Sequence, residues 1–306
     1  MKLAQLPTSR STQNKALIAI LGYTAAFMIF PVSDALAKRL ASRYPIAEIA
    51  AVRFGVHFLI VCGTVFFWHG KTVLRTSRSG LHLVRGALMV GSTLAIFAAL
   101  RTAALADVTI ILFSTPLMVV ALSRPLLGER IAVGQWLAVG AGLAGVLLIV
   151  QPAALGGGSG LMFAIVAAAC GALYQLVSRR LSHTERPLVG LFYVTFVGTT
   201  ALGALALPQW RMPAGEDWSA MLAMGVIAAA AYFAIFKAIE IVSPARLAPY
   251  FYAQILTASA LGYYMFGEVP DAWAVLGMLL ISGAGLVCVG LERRRERVNA
   301  LPLRID

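Results

Sequence analysis

Ten stretches of about twenty apolar residues follow one another along the chain, at about 16–37, 46–68, 83–101, 106–127, 131–150, 160–181, 187–207, 218–239, 245–266 and 272–291. Twenty residues at 1.5 Å each is the length that crosses a hydrocarbon layer of roughly 30 Å. Most links between them are too short to build a soluble domain. Of 306 residues, 60% are hydrophobic and 12% charged, where a soluble domain is about a quarter charged. In lipid each span must satisfy its own backbone N–H and C=O groups. The expected fold is therefore an all-α polytopic membrane protein of ten transmembrane helices, with the lipid bilayer as its first partner.

The net charge of +12 raises nucleic acid as a partner, and its placement argues against that. With the N-terminus inside, only Lys38, Arg39, Arg43, Arg101 and Arg211 of the 25 Lys and Arg fall in outer segments; Arg53 lies within a span and the rest are cytoplasmic. Such a bias orients a membrane protein with its basic loops inside, here with the tails 1–15 and 292–306 both cytoplasmic. The ERRRERVNALPLR tail is read as a topology anchor, and no nucleic acid is expected. The Lys38–Arg43 cluster is the one exception. Lys15 followed by an apolar stretch and Ala35-Leu36-Ala37 resembles a cleavable leader, but Pro31, Asp34 and the basic residues after Ala37 fit that poorly, so an uncleaved span is expected. Cys62, Cys170 and Cys288 sit in different spans and read as small packing residues.

The chain also repeats itself. Residues 95–129 slide onto 234–268 at a constant offset of 139 without a gap. Ala95-Ile96-Phe97 meets Ala234-Ile235-Phe236, and Gly128-Glu129 meets Gly267-Glu268. Residues 16–150 and 160–291 then form two repeats of five helices. Because five is odd, the second repeat enters the membrane from the opposite side. Two inverted repeats are the architecture of secondary transporters, whose substrate sits near the midplane between them.

ALADVTIILFSTPLMVVALSRPLLGER (104–130) and SPARLAPYFYAQILTASALGYYMFGEVPDAWAVLG (243–277) resemble the drug/metabolite transporter (DMT) superfamily, in particular its EamA-type ten-helix family. The resemblance covers nearly the whole chain. It implies two inverted EamA repeats, a bacterial inner membrane, and transport, often export, of amino acids and related metabolites. Some members take up vitamins or nucleoside-like compounds, so uptake of a riboflavin-type or S-adenosylmethionine-type solute is the alternative; a membrane enzyme or sensor is a remote one.

Polar and aromatic residues in the spans mark candidate cavity positions. Tyr250, Gln254 and Thr257 fall at i, i+4 and i+7, one face of a continuous helix. The equivalent span carries Phe113 and Thr115. Span 8 offers Tyr232, span 3 Ser92 and Thr93, span 6 Tyr174 and Gln175, and span 1 Ser33 and Asp34. Pro31, Pro116 and Pro249 would kink their spans and free carbonyls toward a cavity or the protein interior. These groups line a substrate cavity or hydrogen-bond one helix to another.

Arg53, seven residues into span 2 with His57 one turn on, either holds an anionic substrate group or pairs with Asp34 or Glu48. Asp34 either pairs with Lys38 at i+4 or binds an ammonium or a proton. Glu129 and Glu268 each precede the next span and read as complements to its N-terminus. Gly134, Ala138 and Gly142 in span 5 suggest close packing, as scaffold or homodimer contact. No phosphate-binding G-x-x-x-x-G-K-[ST], H-E-x-x-H or G-x-S-x-G is present. No cofactor, metal site or enzymatic activity is expected, only a small-molecule substrate.

Overall fold

Each apolar run folds as a helix, since that alone closes the backbone hydrogen bonds within one segment. The computed structural model describes residues 10–69, 76–128, 132–150, 159–182, 185–242 and 247–299. The first half contains α1 (Arg10–Leu40), α2 (Ile46–Thr64), α3 (Ser79–Leu100), α4 (Leu105–Leu112), α5 (Thr115–Leu127) and α6 (Val133–Val150). The second contains α7 (Ser159–Ser182), α8 (Pro187–Ala206), α9 (Gly215–Ile241), a 3-10 segment (Ala248–Ala253), α10 (Gln254–Phe266) and α11 (Ala272–Asn299). No strand occurs among the described residues.

Among the described residues eight spans are long and apolar enough to cross a membrane: Asn14–Leu40, Ile46–Phe67, Ser79–Leu100, Leu105–Leu126, Gly160–Leu181, Pro187–Gln209, Gly215–Ile241 and Ala272–Leu291. The other two expected spans are the fifth and the ninth. The fifth is the shorter apolar helix Val133–Ile149. The ninth is interrupted, opening as a 3-10 helix that contains Pro249 and turning α-helical only at Gln254. The fourth breaks in the same way. Pro116, without an N–H, stands in the first turn of α5, and the chain between α4 and α5 tightens to Phe113 N–H→Ile110 O and Ser114 N–H→Ile111 O bonds. By contrast, α1 stays helical through Pro31.

The two breaks share a register. Thr115 and Gln254, the first residues of α5 and α10, are 139 apart, and each helix is 13 residues long. Both stop at a left-handed glycine, Gly128 at φ 69° and Gly267 at φ 68°. That conformation costs an L-residue about 1–2 kcal/mol, which explains why the glycine recurs.

Packing between the halves is reciprocal. Helix α1 lies on α9 as α7 lies on α3, and α2 contacts α9 as α8 contacts α3. Helices α2 and α8 pack on each other, as do α6 and α11. At the α6–α11 seam a Cβ on Gly145 would stand 2.8 Å from the Gly277 carbonyl, and one on Gly277 would stand 2.7 Å from the Gly145 carbonyl. The small residues of the fifth span thus face inward: Gly134 toward Leu291, Gly142 toward Leu117 and Ala284.

Candidate functional site

Between the paired helices α2 and α8 and their neighbours α3, α7 and α9 lies a narrow cleft. Arg53 and His57 of α2, Thr93 of α3, Tyr174 of α7, Thr195 of α8 and Tyr232 of α9 line this cavity of about 20 Å³. Phe54, His57, Tyr174 and Tyr232 give the walls four rings. The His57 ring stacks on Tyr232 at 5.5 Å and 20°, and Phe30 closes on the other side of Tyr232 edge-on at 5.6 Å. The Arg53 guanidinium sits 5.7 Å from the centre of the Phe97 ring.

His57 Nε2 in this cavity and Arg85 Nε beside it are buried without a hydrogen-bond partner. An unmet buried donor or acceptor costs about 1–3 kcal/mol, so such atoms are kept where something else engages them. Asp34, half-buried on α1, is in electrostatic reach of Arg53, and Tyr232 senses Arg53, Arg85 and Asp34 together. Arg53 and Asp34 nevertheless form no ion pair. The cavity therefore presents a guanidinium, two hydroxyl-bearing rings and an imidazole, with the Asp34 carboxyl near Arg53.

Of the residues expected from sequence, Arg53, His57, Thr93, Tyr174 and Tyr232 come together on this wall, with Ser33 and Asp34 behind it. The others go elsewhere. Ser92 donates to the Ala167 carbonyl at 3.0 Å, tying α3 to α7. Thr115 is buried against Gly171 beside Ser92. Phe113 is buried among Phe251 and Tyr252. Gln175 is exposed. Gln254 is buried, Thr257 half-buried and Tyr250 39% exposed. The 3-10 segment has three residues per turn where an α-helix has 3.6, and that rotates Tyr250 off the face of Gln254.

Arg85 was counted from sequence among the cytoplasmic charges. The structure buries it against the cavity wall, where it donates to the Tyr174 hydroxyl at 2.9 Å and lies 4.9 Å from the ring centre. Gly190 makes the room, since a Cβ there would strike the guanidinium. The signal was its place inside the apolar run 83–101.

Two charge assignments also change. Lys38 pairs with Glu268 and reaches the Ala103 carbonyl, so it is not the partner of Asp34. Glu268 does complement a helix N-terminus, but that of α4 across the bundle, through the Leu105 N–H at 2.9 Å. Glu129 lies outside the described residues. Arg43 meets Asp217 at 3.3 Å, so both Lys38 and Arg43 in the anomalous basic cluster have a carboxylate partner from the second half. Arg39 and Arg101 border a wider, open hollow of about 850 Å³ at that end.

The EamA-like transporter profile matches twice, over residues 17–151 and 158–290. The chain belongs to the EamA-like transporter family. An S-adenosylmethionine uptake transporter of Rickettsia felis is 26% identical over 92% of this EamA chain and 97% of its own length. A riboflavin transporter of Vibrio cholerae is 26% identical over 89% and 92%. A pseudopaline exporter of Pseudomonas aeruginosa is 28% identical over 92% and 96%. One solved crystal structure superposes with a TM-score of 0.59 at 23% identity, covering 94% of this chain and 100% of that one, a likeness of fold alone. This EamA protein is thus an all-helical, multi-pass membrane protein similar to transporters.

Proposed function

We propose that the chain is a secondary carrier, which moves a small polar metabolite by alternating access through the Arg53–His57–Tyr174–Tyr232 cavity. Ten membrane-crossing segments form two inverted five-helix repeats, 16–150 and 160–291, with both tails on the cytoplasmic side of a bacterial inner membrane. One observation carries this reading. Both repeats contribute to one cavity, and polar atoms in and around it have no partner within the protein. Inverted repeats of similar energy are what a carrier needs to open to each side in turn.

An amino acid or similar zwitterion, exported from the cell, is the first reading. Its carboxylate would meet Arg53 and its ammonium Asp34, charges that the protein itself leaves apart. A second reading, uptake of a metabolite with an aromatic ring, is favoured by the Tyr232–His57 stack and by Tyr174, on which a planar ring would lie. Relatives named for S-adenosylmethionine and riboflavin support it.

Purified protein in sealed vesicles decides between them. Counterflow of a labelled amino acid supports the first reading, and counterflow of riboflavin or S-adenosylmethionine the second. No movement of any solute across a broad panel, with the protein folded, rejects both.

A further inference from the structure

A partly buried polar chain runs from one end of the bundle to the cavity wall. It begins at the end of the bundle where the link before α3 meets the link between α7 and α8, the cytoplasmic end in the proposed orientation. Thr76 Oγ1 donates to Glu185 Oε1 at 2.7 Å. Glu185 Oε2 stands 3.9 Å from His82 Nε2. One turn further along α3, Arg85 holds the Tyr174 hydroxyl, and Tyr174 is cavity wall.

His82 is the unusual member. It is fully buried and its ring stacks on Tyr193 at 5.0 Å and 18°, yet neither ring nitrogen has a hydrogen-bond partner. A neutral imidazole carries one N–H and one acceptor nitrogen, and both are unmet here. Stacking alone does not call for this, because a phenyl ring would cover Tyr193 without any unmet polar atom. The carboxylate at 3.9 Å is just outside hydrogen-bond reach. Protonation of the imidazole turns that near miss into a charge-assisted hydrogen bond. The charged and titratable groups facing His82 are Glu185 from the α7–α8 link, Tyr193 from α8 and Arg85 from its own helix.

We propose that His82 and Glu185 form a proton-binding site that latches this end of the carrier. Water at that end supplies the proton, the imidazolium draws Glu185 in, and α3 of the first repeat is tied to the α7–α8 link of the second. Arg85, one turn on, carries the constraint to Tyr174 and so to the cavity. Acid on this side therefore holds this mouth shut, and loss of the proton frees it. The proposal rests on the carrier reading above, but its first test needs no substrate.

Full-length protein in lipid nanodiscs is followed by hydrogen–deuterium exchange, corrected for intrinsic rates, at about pH 5.5 and about pH 8, either side of the usual histidine range. The wild type is expected to exchange about tenfold more slowly at the acid pH in residues 79–85 and 185–190, the change that one pKa unit of coupling produces. His82→Gln and Glu185→Gln each abolish that difference. Equal exchange at both pH values in the wild type, or a pH difference that survives in His82→Gln, overturns the latch. Should His82→Gln not fold, Glu185→Gln reports the same contact with the imidazole in place.

Counterflow of labelled amino acids, riboflavin and S-adenosylmethionine gives the second readout. Acidifying the Glu185 side is expected to slow wild-type counterflow several-fold and to leave Glu185→Gln unchanged; equal slowing in both overturns the latch. If none of these solutes moves, the carrier reading fails and the exchange experiment still decides the proton site.

Discussion

Two seams join equivalent helices of the two repeats, and what surrounds them differs. At the α6–α11 seam two backbones touch through Gly145 and Gly277, and the lining is almost free of polar groups. The α2–α8 seam is also close, with Gly198 against the Phe54 ring, but beside it, where α3, α7 and α9 come in, aromatic and charged side chains line a narrow cleft. The lesson is one of side-chain size. Without a hydrophobic force between helices in lipid, small residues let a seam close by van der Waals contact, whereas bulky polar side chains beside a seam leave room next to it.

The largest effect should come from the α6–α11 seam. Gly145→Leu places a side chain against the Gly277 carbonyl, which cannot move aside, and is expected to cost roughly 3 kcal/mol or more, read as lost thermal stability in detergent. An unchanged melting curve would mean that the seam is not tight. Glu268→Gln comes next, because it removes the ion pair with Lys38 and weakens the α4 cap together, for about 2–3 kcal/mol. Lys38→Met leaves the cap in place and should cost less; the reverse ranking would show that the cap contributes little.

At the cleft beside the α2–α8 seam stability and transport should part company. Arg53→Gln is expected to lower counterflow at least about tenfold, the worth of one charged hydrogen bond, while the melting temperature stays close to that of the wild type. A variant that melts early with transport intact would make Arg53 a structural residue. The smallest effect belongs to Tyr250→Phe and Gln175→Ala, whose side chains are exposed. Both should transport as the wild type does, and a clear loss in either would move the cavity toward the ninth span.

Much of this fold could be read from the sequence, because the signals are local. Apolar runs mark the spans, and the 139-residue offset marks two breaks and two left-handed glycines that coincide in three dimensions. The sequence also marked residues of the cavity: Arg53, His57, Thr93, Tyr174 and Tyr232 are polar or aromatic where lipid would not hold them. What failed depended on long-range geometry. Lys38 has Asp34 four residues away but takes Glu268, 230 positions along the chain. Arg85 looked like a loop charge because nothing near it in sequence announces Gly190. Tyr250 was assigned a face by assuming α-geometry throughout a segment that begins with tighter turns.

The break before α10 has a mechanical consequence. Thirteen helical residues make a rod of about 20 Å, hinged at Ala253 and ending at Gly267 beside the Glu268 carboxylate. A tilt of about 10° at that junction would sweep the far tip through about 3.5 Å, comparable to the reach of a hydrogen bond. Such a bend would bear on the Lys38–Glu268 pair at the far end of the rod without unwinding a single turn.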